Sequence, residues 1–156
     1  MKRILLLAII ATISLTTLAG DIYKGEHTVG VLAGYNTRTE SAVAGAFFQY
    51  RFSKYIRVSP DFQYAFSHNG LSSYEINGNI HVPFTLGRIV NVYPLAGVSY
   101  QSLKMEALSE NRFGLNLGGG AGVMATNTLK LSLEGKYSLL KDYSNAAITL
   151  SIGYLF

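Results

Sequence analysis

Eight charged side chains occur at alternating positions of the chain, where they could form ion pairs in one enclosed space. Three of them, Lys130, Glu134 and Lys136, fall within seven residues and share one parity. In an extended chain, residues two or four apart lie on the same face. Charges on a buried face must be paired or hydrated. The predicted polar network is Arg51, Arg57, Asp61, Glu75, Arg112, Lys130, Glu134 and Lys136.

Uncharged polar residues of the same parity would complete the hydrogen bonds of this network. Amide and imidazole groups both donate and accept, so they can connect charges of either sign. We place Glu134 at the centre of the network, between Lys130 and Lys136. The uncharged members are Gln49, Gln63, Asn77, Asn79, His81 and Asn116.

The three histidines give little support for catalysis or metal binding. His68 follows Ser67, but an adjacent pair of this kind is more often a solvated turn than a nucleophile with its base. No two histidines have the spacing of metal ligands, and no pair of carboxylates is set apart for acid–base chemistry. We therefore predict no catalytic residue, no metal site and no cofactor.

Apolar residues alternate with small or polar ones in eight segments, and these segments must position the polar network. Helical periodicity is absent after residue 20. A transmembrane strand tilted near 45° needs about 9–11 residues, which each segment provides. The segments are 26–35, 42–52, 55–66, 73–85, 90–101, 112–124, 129–140 and 146–156. The prediction is an all-β fold, an eight-stranded antiparallel up-and-down transmembrane β-barrel.

The first twenty residues have the organisation of a cleaved signal peptide. Lys2 and Arg3 form a basic start, an apolar stretch follows at 4–15, and Thr17 and Ala19 supply small residues before the cut. The predicted domains are a signal peptide, 1–20, and an outer-membrane barrel, 21–156. A retained anchor is the alternative, although the apolar stretch is shorter than the roughly 20 residues that a spanning helix needs.

Composition excludes several classes of function. The chain has no cysteine, so it has no disulfide framework, thiolate metal site or lipid-modified cysteine. Without Lys2 and Arg3 the formal charge falls from +4 to +2, which is too small an excess to indicate nucleic-acid binding. Charged residues make up 14% of the chain, against roughly 25% in soluble domains.

Charge placement indicates which face of the barrel points outward. Alternation alone fits a membrane barrel with its apolar face outward and a soluble lipocalin-like barrel with that face inward. No Lys, Arg, Asp or Glu lies on the apolar face of any predicted strand. Because a lipid-facing Lys or Arg costs about 2–4 kcal/mol at the bilayer midplane, this favours the membrane barrel.

Aromatic residues of the apolar face fall mostly near strand ends, as in the aromatic girdles of membrane barrels. Phe62 is an exception nearer mid-strand. At one end lie Tyr35, Tyr64, Phe66, Tyr74, Tyr100, Phe113 and Tyr137, and at the other Tyr50, Phe52, Phe84, Tyr154 and Phe156.

The predicted connections differ in length between the two ends of the barrel. With an even strand number both chain ends lie on one side, where the connections have 2 to 4 residues, against 5 to 10 opposite. Short periplasmic turns and longer outer loops are the pattern of outer-membrane barrels. The longest predicted loop is 102–111, with Lys104, Glu106, Glu110 and Asn111.

Proline and glycine predict local irregularities within the strands. Pro60 and Pro94 each remove a ladder hydrogen bond, so we expect bulges there. Four glycines at 118–122 lack the ending of a phosphate loop and no helix follows, so they are interpreted as small residues in a crowded barrel.

The last predicted strand ends in an alternating apolar column with a terminal aromatic residue. Its members are Ile148, Leu150, Ile152, Tyr154 and Phe156. Together with the eight segments, this column resembles the OmpA/OmpX-like family of small outer-membrane β-barrels, over the whole mature chain. The alternative for Phe156 is simply the end of a strand at the interface.

The resemblance implies location in the outer membrane of a Gram-negative cell after export by the general secretory pathway. It implies contact with outer-membrane lipids and lipopolysaccharide, and with periplasmic chaperones. It also implies that the terminal column is an assembly signal, which the outer-membrane assembly machinery reads through β-augmentation. The loops are shorter than those of adhesive relatives, which puts adhesion in doubt.

Three functions remain open at this point. The first is a structural or porin-like barrel, whose lumen holds either an ion-paired plug or a narrow, gated ion path, because eight strands leave only room for side chains. The second is a surface interaction protein acting on an unknown ligand through its loops. The third is a lipid A-modifying enzyme, but the His-x-Ser arrangement of lipid A deacylases is absent at His27, His68 and His81.

Overall fold

Alternating residues form antiparallel strands throughout the computed structural model, which describes residues 25–68, 71–86, 89–105, 108–140 and 144–156. The predicted signal peptide lies outside the described residues. No helix among them is long and apolar enough to cross a membrane. The strands are β1 (His27–Asn36), β2 (Ser41–Arg51), β3 (Arg57–His68), β4 (Leu71–His81), β5 (Phe84–Leu86), β6 (Val90–Met105), β7 (Leu108–Met124), β8 (Leu129–Leu140) and β9 (Asn145–Leu155).

Eight long strands close into a ring. Neighbours in sequence pair with each other, β1 pairs with β9, and β4 pairs with β6. The predicted eight-stranded antiparallel barrel is therefore confirmed. We call the end where β1 begins and β9 ends the proximal end, and the opposite end the distal end.

The fourth predicted segment, 73–85, is divided into β4 and the three-residue β5. His81 lies opposite Leu95 and Phe84 opposite Val92, so the register against β6 is the same before and after the break. Pro83 lies in the break, where it cannot donate to a ladder. β5 therefore continues the line of β4 at the proximal end.

The bulges predicted at Pro60 and Pro94 are wrong. Phe47 lies opposite Asp61 and Tyr50 opposite Val58, so the β2–β3 register is unchanged across Pro60. Pro94 lies in an unshifted register with β7, opposite Gly119. Proline removes one donor without adding a residue, which interrupts hydrogen bonding but does not require a bulge.

The prediction of a long loop at 102–111 is also wrong. β6 and β7 stay paired from Ser102 opposite Asn111 to Met105 opposite Leu108, which leaves a two-residue connection. The distal connections, 37–40, 69–70, 106–107 and 141–144, have 2 to 4 residues, against 3 to 5 at the proximal end. Polar residues favoured a loop in the sequence, but a hairpin that extends beyond lipid needs no apolar face.

The burial of side chains is inverted relative to a water-soluble protein. Large apolar side chains are exposed on the outer surface, with Phe113 at 76% exposure. Side chains with less than 2% exposure are polar, for example His81, Asn77 and Gln101. This arrangement suits a barrel with lipid outside and hydrogen-bonding groups inside.

Inward residues of β1, β2 and β9 are mostly small or apolar at mid-barrel, and we call them the small-residue wall. The ring of Phe47 covers two glycines of this wall: a Cβ atom on Gly30 would lie 2.6 Å from Phe47 Cζ, and one on Gly153 3.1 Å from it. The wall consists of Gly30, Leu32, Gly34, Val43, Gly45, Phe47, Ala147 and Gly153. Polar side chains accordingly concentrate on the other strands.

Candidate functional site

A carboxylate held by amide groups lies in the middle of the lumen. Asp61 Oδ1 accepts hydrogen bonds from Gln63 Nε2 at 2.8 Å and Asn77 Nδ2 at 2.7 Å, and Oδ2 accepts one from Asn79 Nδ2 at 2.9 Å. The pairing of β3 with β4 places Asp61 opposite Asn77, which brings these groups within reach. Three donors satisfy much of the accepting capacity of a buried carboxylate.

Asn116 extends these contacts to two more strands, and we call Asp61, Gln63, Asn77, Asn79 and Asn116 the amide layer. Asn116 Nδ2 donates to Asn77 Oδ1 at 2.8 Å and to Asn79 Oδ1 at 3.0 Å, and Ser138 Oγ donates to Asn116 Oδ1 at 2.8 Å. Gly97 lies between Asn79 and Asn116 in the register. Because it has no side chain, the two asparagines meet across β6.

A buried ion pair crosses the lumen next to this layer. Lys136 Nζ on β8 lies 2.8 Å from Glu75 Oε1 on β4. Both side chains are buried, so each charge depends on the other for compensation. We call the amide layer and this pair the distal half of the lumen.

The part of the lumen nearer the proximal end is called the proximal half. Four of its side chains stack and hydrogen-bond with one another. The rings of His81 and Tyr93 are parallel, with centroids 4.6 Å apart, and Arg57 Cζ lies 4.6 Å from the centroid of Tyr93. Tyr93 Oη donates to Glu134 Oε2 at 3.1 Å. Gly120 makes room for the phenol, since a Cβ atom there would lie 2.6 Å from Tyr93 Oη.

The tautomer of His81 follows from its contact with Arg57. Arg57 Nη2 lies 3.0 Å from His81 Nδ1, and a guanidinium only donates, so Nδ1 must accept. In the neutral ring the proton is then on Nε2, which lies 3.9 Å from Glu134 Oε2. The imidazole therefore accepts from Arg57 but makes no hydrogen bond to Glu134, and its Nε2 has no hydrogen-bond partner among the described residues.

Lys130 extends these contacts along the proximal lumen. Lys130 Nζ donates to Gln49 Oε1 at 3.0 Å and lies 5.9 Å from the centroid of Tyr93, while Gln49 Nε2 donates to Ser59 Oγ at 3.3 Å. Ser59 lies two residues from Arg57 on the same face of β3. We call this set the basic ring: Arg57, His81, Tyr93, Lys130, Gln49 and Ser59.

The predicted network residues do not all meet. Arg51 pairs with Glu26 at 3.1 Å at the proximal mouth, and Arg112 pairs with Glu110 at the distal end. Glu134 bonds to Tyr93, and among the described residues it has no lysine within 4 Å. The other members occupy the lumen as described above: Arg57, Asp61, Glu75, Lys130 and Lys136.

Tyr93 is the main luminal residue that sequence reasoning missed. Tyr93 and Tyr100 lie in the same predicted segment at positions of opposite parity, so alternation places Tyr93 inward, unlike most aromatic residues of the barrel. An aromatic side chain of inward parity beside polar ones was the signal that could have identified it. The structure buries Tyr93 among Arg57, His81 and Glu134.

The predicted terminal column lies on the outer surface, where all five side chains are exposed. Phe156 is tied to β1, because its backbone N–H donates to His27 O at 3.0 Å and its carbonyl accepts from His27 N at 3.3 Å. Its ring stacks on the imidazole of His27, with centroids 5.6 Å apart.

Within the described part of the chain, no group of three His, Cys, Asp or Glu side chains is placed to hold a metal ion. A closed ring of strands with an apolar exterior and a polar interior defines a transmembrane β-barrel. Residues 6–156 match the family model of the outer membrane protein β-barrel domain. The chain belongs to this family. Among curated proteins, none matches the sequence.

Solved structures of bacterial outer-membrane proteins share the fold. The N-terminal β-barrel domain of Pseudomonas aeruginosa OprF has a TM-score of 0.74 at 12% identity, covering 85% of this chain and 98% of that one. Neisserial surface protein A has a TM-score of 0.66 at 13% identity, covering 84% and 96%. Ail, the attachment invasion locus protein of Yersinia pestis, has a TM-score of 0.62 at 17% identity, covering 85% and 99%.

Proposed function

We propose that this protein is a non-enzymatic, structural barrel of the outer membrane whose lumen is plugged by its own polar side chains. The observation that carries the proposal is hydrogen bonding between strands that are not neighbours. Glu75 on β4 meets Lys136 on β8, and Lys130 on β8 meets Gln49 on β2. Such contacts occupy the space through which a solute would pass.

Single-channel recording in planar bilayers tests the plug against a narrow, gated ion path. We expect no conductance steps from the purified wild-type protein or from Glu134→Gln. Glu75→Gln tests the plug more directly than Glu134→Gln, because it removes the carboxylate of the ion pair that crosses the lumen to Lys136. Regular steps in the wild type, altered in amplitude or frequency by Glu134→Gln, would favour a porin-like path.

Surface interaction is the second candidate, favoured by the distal hairpin. β6 stays paired with β4 as far as Lys104 opposite Ser72, and β7 pairs with β8 only from Gly114 onward. The hairpin of β6 and β7 therefore extends beyond β8 at the distal end. Ail, the attachment invasion locus protein, shares the fold and was solved in complex with the heparin analogue sucrose octasulfate.

Shortening the hairpin separates the two candidates. A variant lacking residues 104–109 keeps the strand pairs within the barrel and should still migrate as a folded, heat-modifiable band. Unchanged binding of cells and of sucrose octasulfate would favour the structural role. Binding by the wild type that the shortened variant loses would favour the surface role.

We further propose export through residues 1–20, a periplasmic proximal end, and assembly signalled by the terminal column. This proposal includes passage by periplasmic chaperones to the assembly machinery and final contact with lipopolysaccharide. The exposed column ending at Phe156 supports it, because an assembly factor could contact this column on the outer surface. Phe156→Ala should lower outer-membrane levels, and normal levels would contradict the signal.

A lipid A-modifying activity has no support in the described side chains. Lipid A mass spectra should be the same with and without overexpression of the protein. A new lipid A species that depends on the protein would overturn the non-enzymatic assignment.

A further inference from the structure

Two cations of the basic ring are buried with neutral partners. Arg57 is 7% exposed and Lys130 is 5% exposed. Arg57 contacts the imidazole of His81 and the face of Tyr93, and Lys130 contacts the amide of Gln49. Among the described residues, neither has a carboxylate within 4 Å.

The nearby carboxylates have other partners. Glu26 pairs with Arg51, and Glu134 accepts a hydrogen bond from Tyr93. Asp61 is held by the amide layer. Arg57 and Lys130 are thus two buried positive charges without a carboxylate within 4 Å, and Glu134 supplies only one buried negative charge to this half. A buried charge without a counterpart costs several kcal/mol.

Both cations of the basic ring lie beside the same phenol ring. Arg57 and Lys130 both lie against Tyr93, and the amide of Gln49 joins Lys130 to Ser59. Arg57 Nε is buried and has no hydrogen-bond partner among the described residues. Guanidinium and ammonium groups that converge around a site favour one class of ligand, an anion.

Fewer ladders hold the barrel wall beside Arg57 and His81 than elsewhere. The β3–β4 ladder ends at Arg57 opposite His81, and β5 beyond it pairs with β6. Within the described residues, no ladder joins β3 to β5.

We propose that Arg57 and Lys130 bind one small inorganic anion, chloride or phosphate, inside the basic ring. The anion contacts the guanidinium and the ammonium group and supplies a further negative charge beside that of Glu134. This site does not require ion conduction, so it is compatible with a plugged lumen.

Thermal stability at constant ionic strength tests the site. The purified barrel is heated in sodium gluconate with increasing sodium chloride in one series and sodium phosphate in another, and unfolding is followed by heat-modifiable migration. We expect the wild-type midpoint to rise by about 3–6 °C and saturate with the anion that binds. The series that shows the rise identifies the anion.

Lys130→Met should abolish this rise, whereas Lys104→Met at the distal end should keep it. In gluconate alone, Lys130→Met should be at least as heat-stable as the wild type, because it removes one of two like charges. An equal anion effect in wild type and Lys130→Met, or no effect of either anion, would overturn the proposal.

Crystals of the wild type soaked in bromide give a second measurement that does not depend on a variant. Bromide substitutes for chloride and is located by its anomalous scattering. A peak within 4 Å of Lys130 Nζ and Arg57 would support the site. A map without a peak in the basic ring would overturn chloride as the bound anion. Phosphate binding would then be decided by the thermal stability series in sodium phosphate.

Discussion

The two halves of the lumen contain similar polar side chains but compensate their charges differently. In the distal half, Glu75 meets Lys136 at 2.8 Å and Asp61 accepts three amide hydrogen bonds. In the proximal half, Arg57 and Lys130 contact an imidazole, a phenol ring and an amide. Inward parity alone therefore does not provide a counter-charge, because compensation depends on which side chains face each other across the barrel.

The largest expected effect is in the distal half. Lys136→Met leaves Glu75 buried without its cation and should lower the free energy of unfolding by about 3–5 kcal/mol. Unfolding in urea, followed by gel migration of the detergent-solubilised barrel, measures the loss. Replacing both Glu75 and Lys136 by Met should recover most of the stability, since no charge is left unpaired. A single variant as stable as wild type would show that the pair contributes nothing.

A smaller loss is expected at the centre of the amide layer. Asp61→Asn replaces one accepting oxygen by a donor, so at least one amide of Gln63, Asn77 or Asn79 faces another donor. The expected cost is about 1–3 kcal/mol in the same urea experiment. Glu134→Gln is the matched proximal variant, and it should cost less because its remaining carbonyl can still accept from Tyr93. A larger loss for Glu134→Gln would reverse the contrast between the two halves.

Adding one methyl group tests how tightly the distal half is packed. A Cβ atom on Gly97 would lie 2.7 Å from Asn79 Cα, so Gly97→Ala should cost about 1–3 kcal/mol. Gly135→Ala is the control, since nothing lies within 4 Å of its added atom, and it should change stability by no more than about 0.5 kcal/mol. Equal values for the two variants would mean that Gly97 is not required between Asn79 and Asn116.

Periodicity predicted the barrel well because lipid and lumen impose opposite demands on successive residues. Phe113 and Arg112 are neighbours, yet one is exposed on the outer surface and the other pairs with Glu110. The same rule failed for 102–111, because the positions that continue the apolar face there, such as Ser102 and Lys104, are polar and the apolar signal is lost. The bulge predicted at Pro60 was a separate error, because the missing proline donor leaves the register unchanged.

Alternation and charge placement along the chain are enough to predict which side chains point inward, since period two follows from the geometry of an extended strand and charges avoid the lipid face. The sequence also indicated the number of strands, because each span of the bilayer requires a segment of similar length. The hydrogen-bond and ion-pair partners of these side chains depend on the tertiary structure. Glu75 and Lys136 are 61 residues apart, and Tyr93 bonds to Glu134 across strands that are not neighbours. Those pairs depend on how the ring closes and on the register of every ladder, which local alternation does not encode.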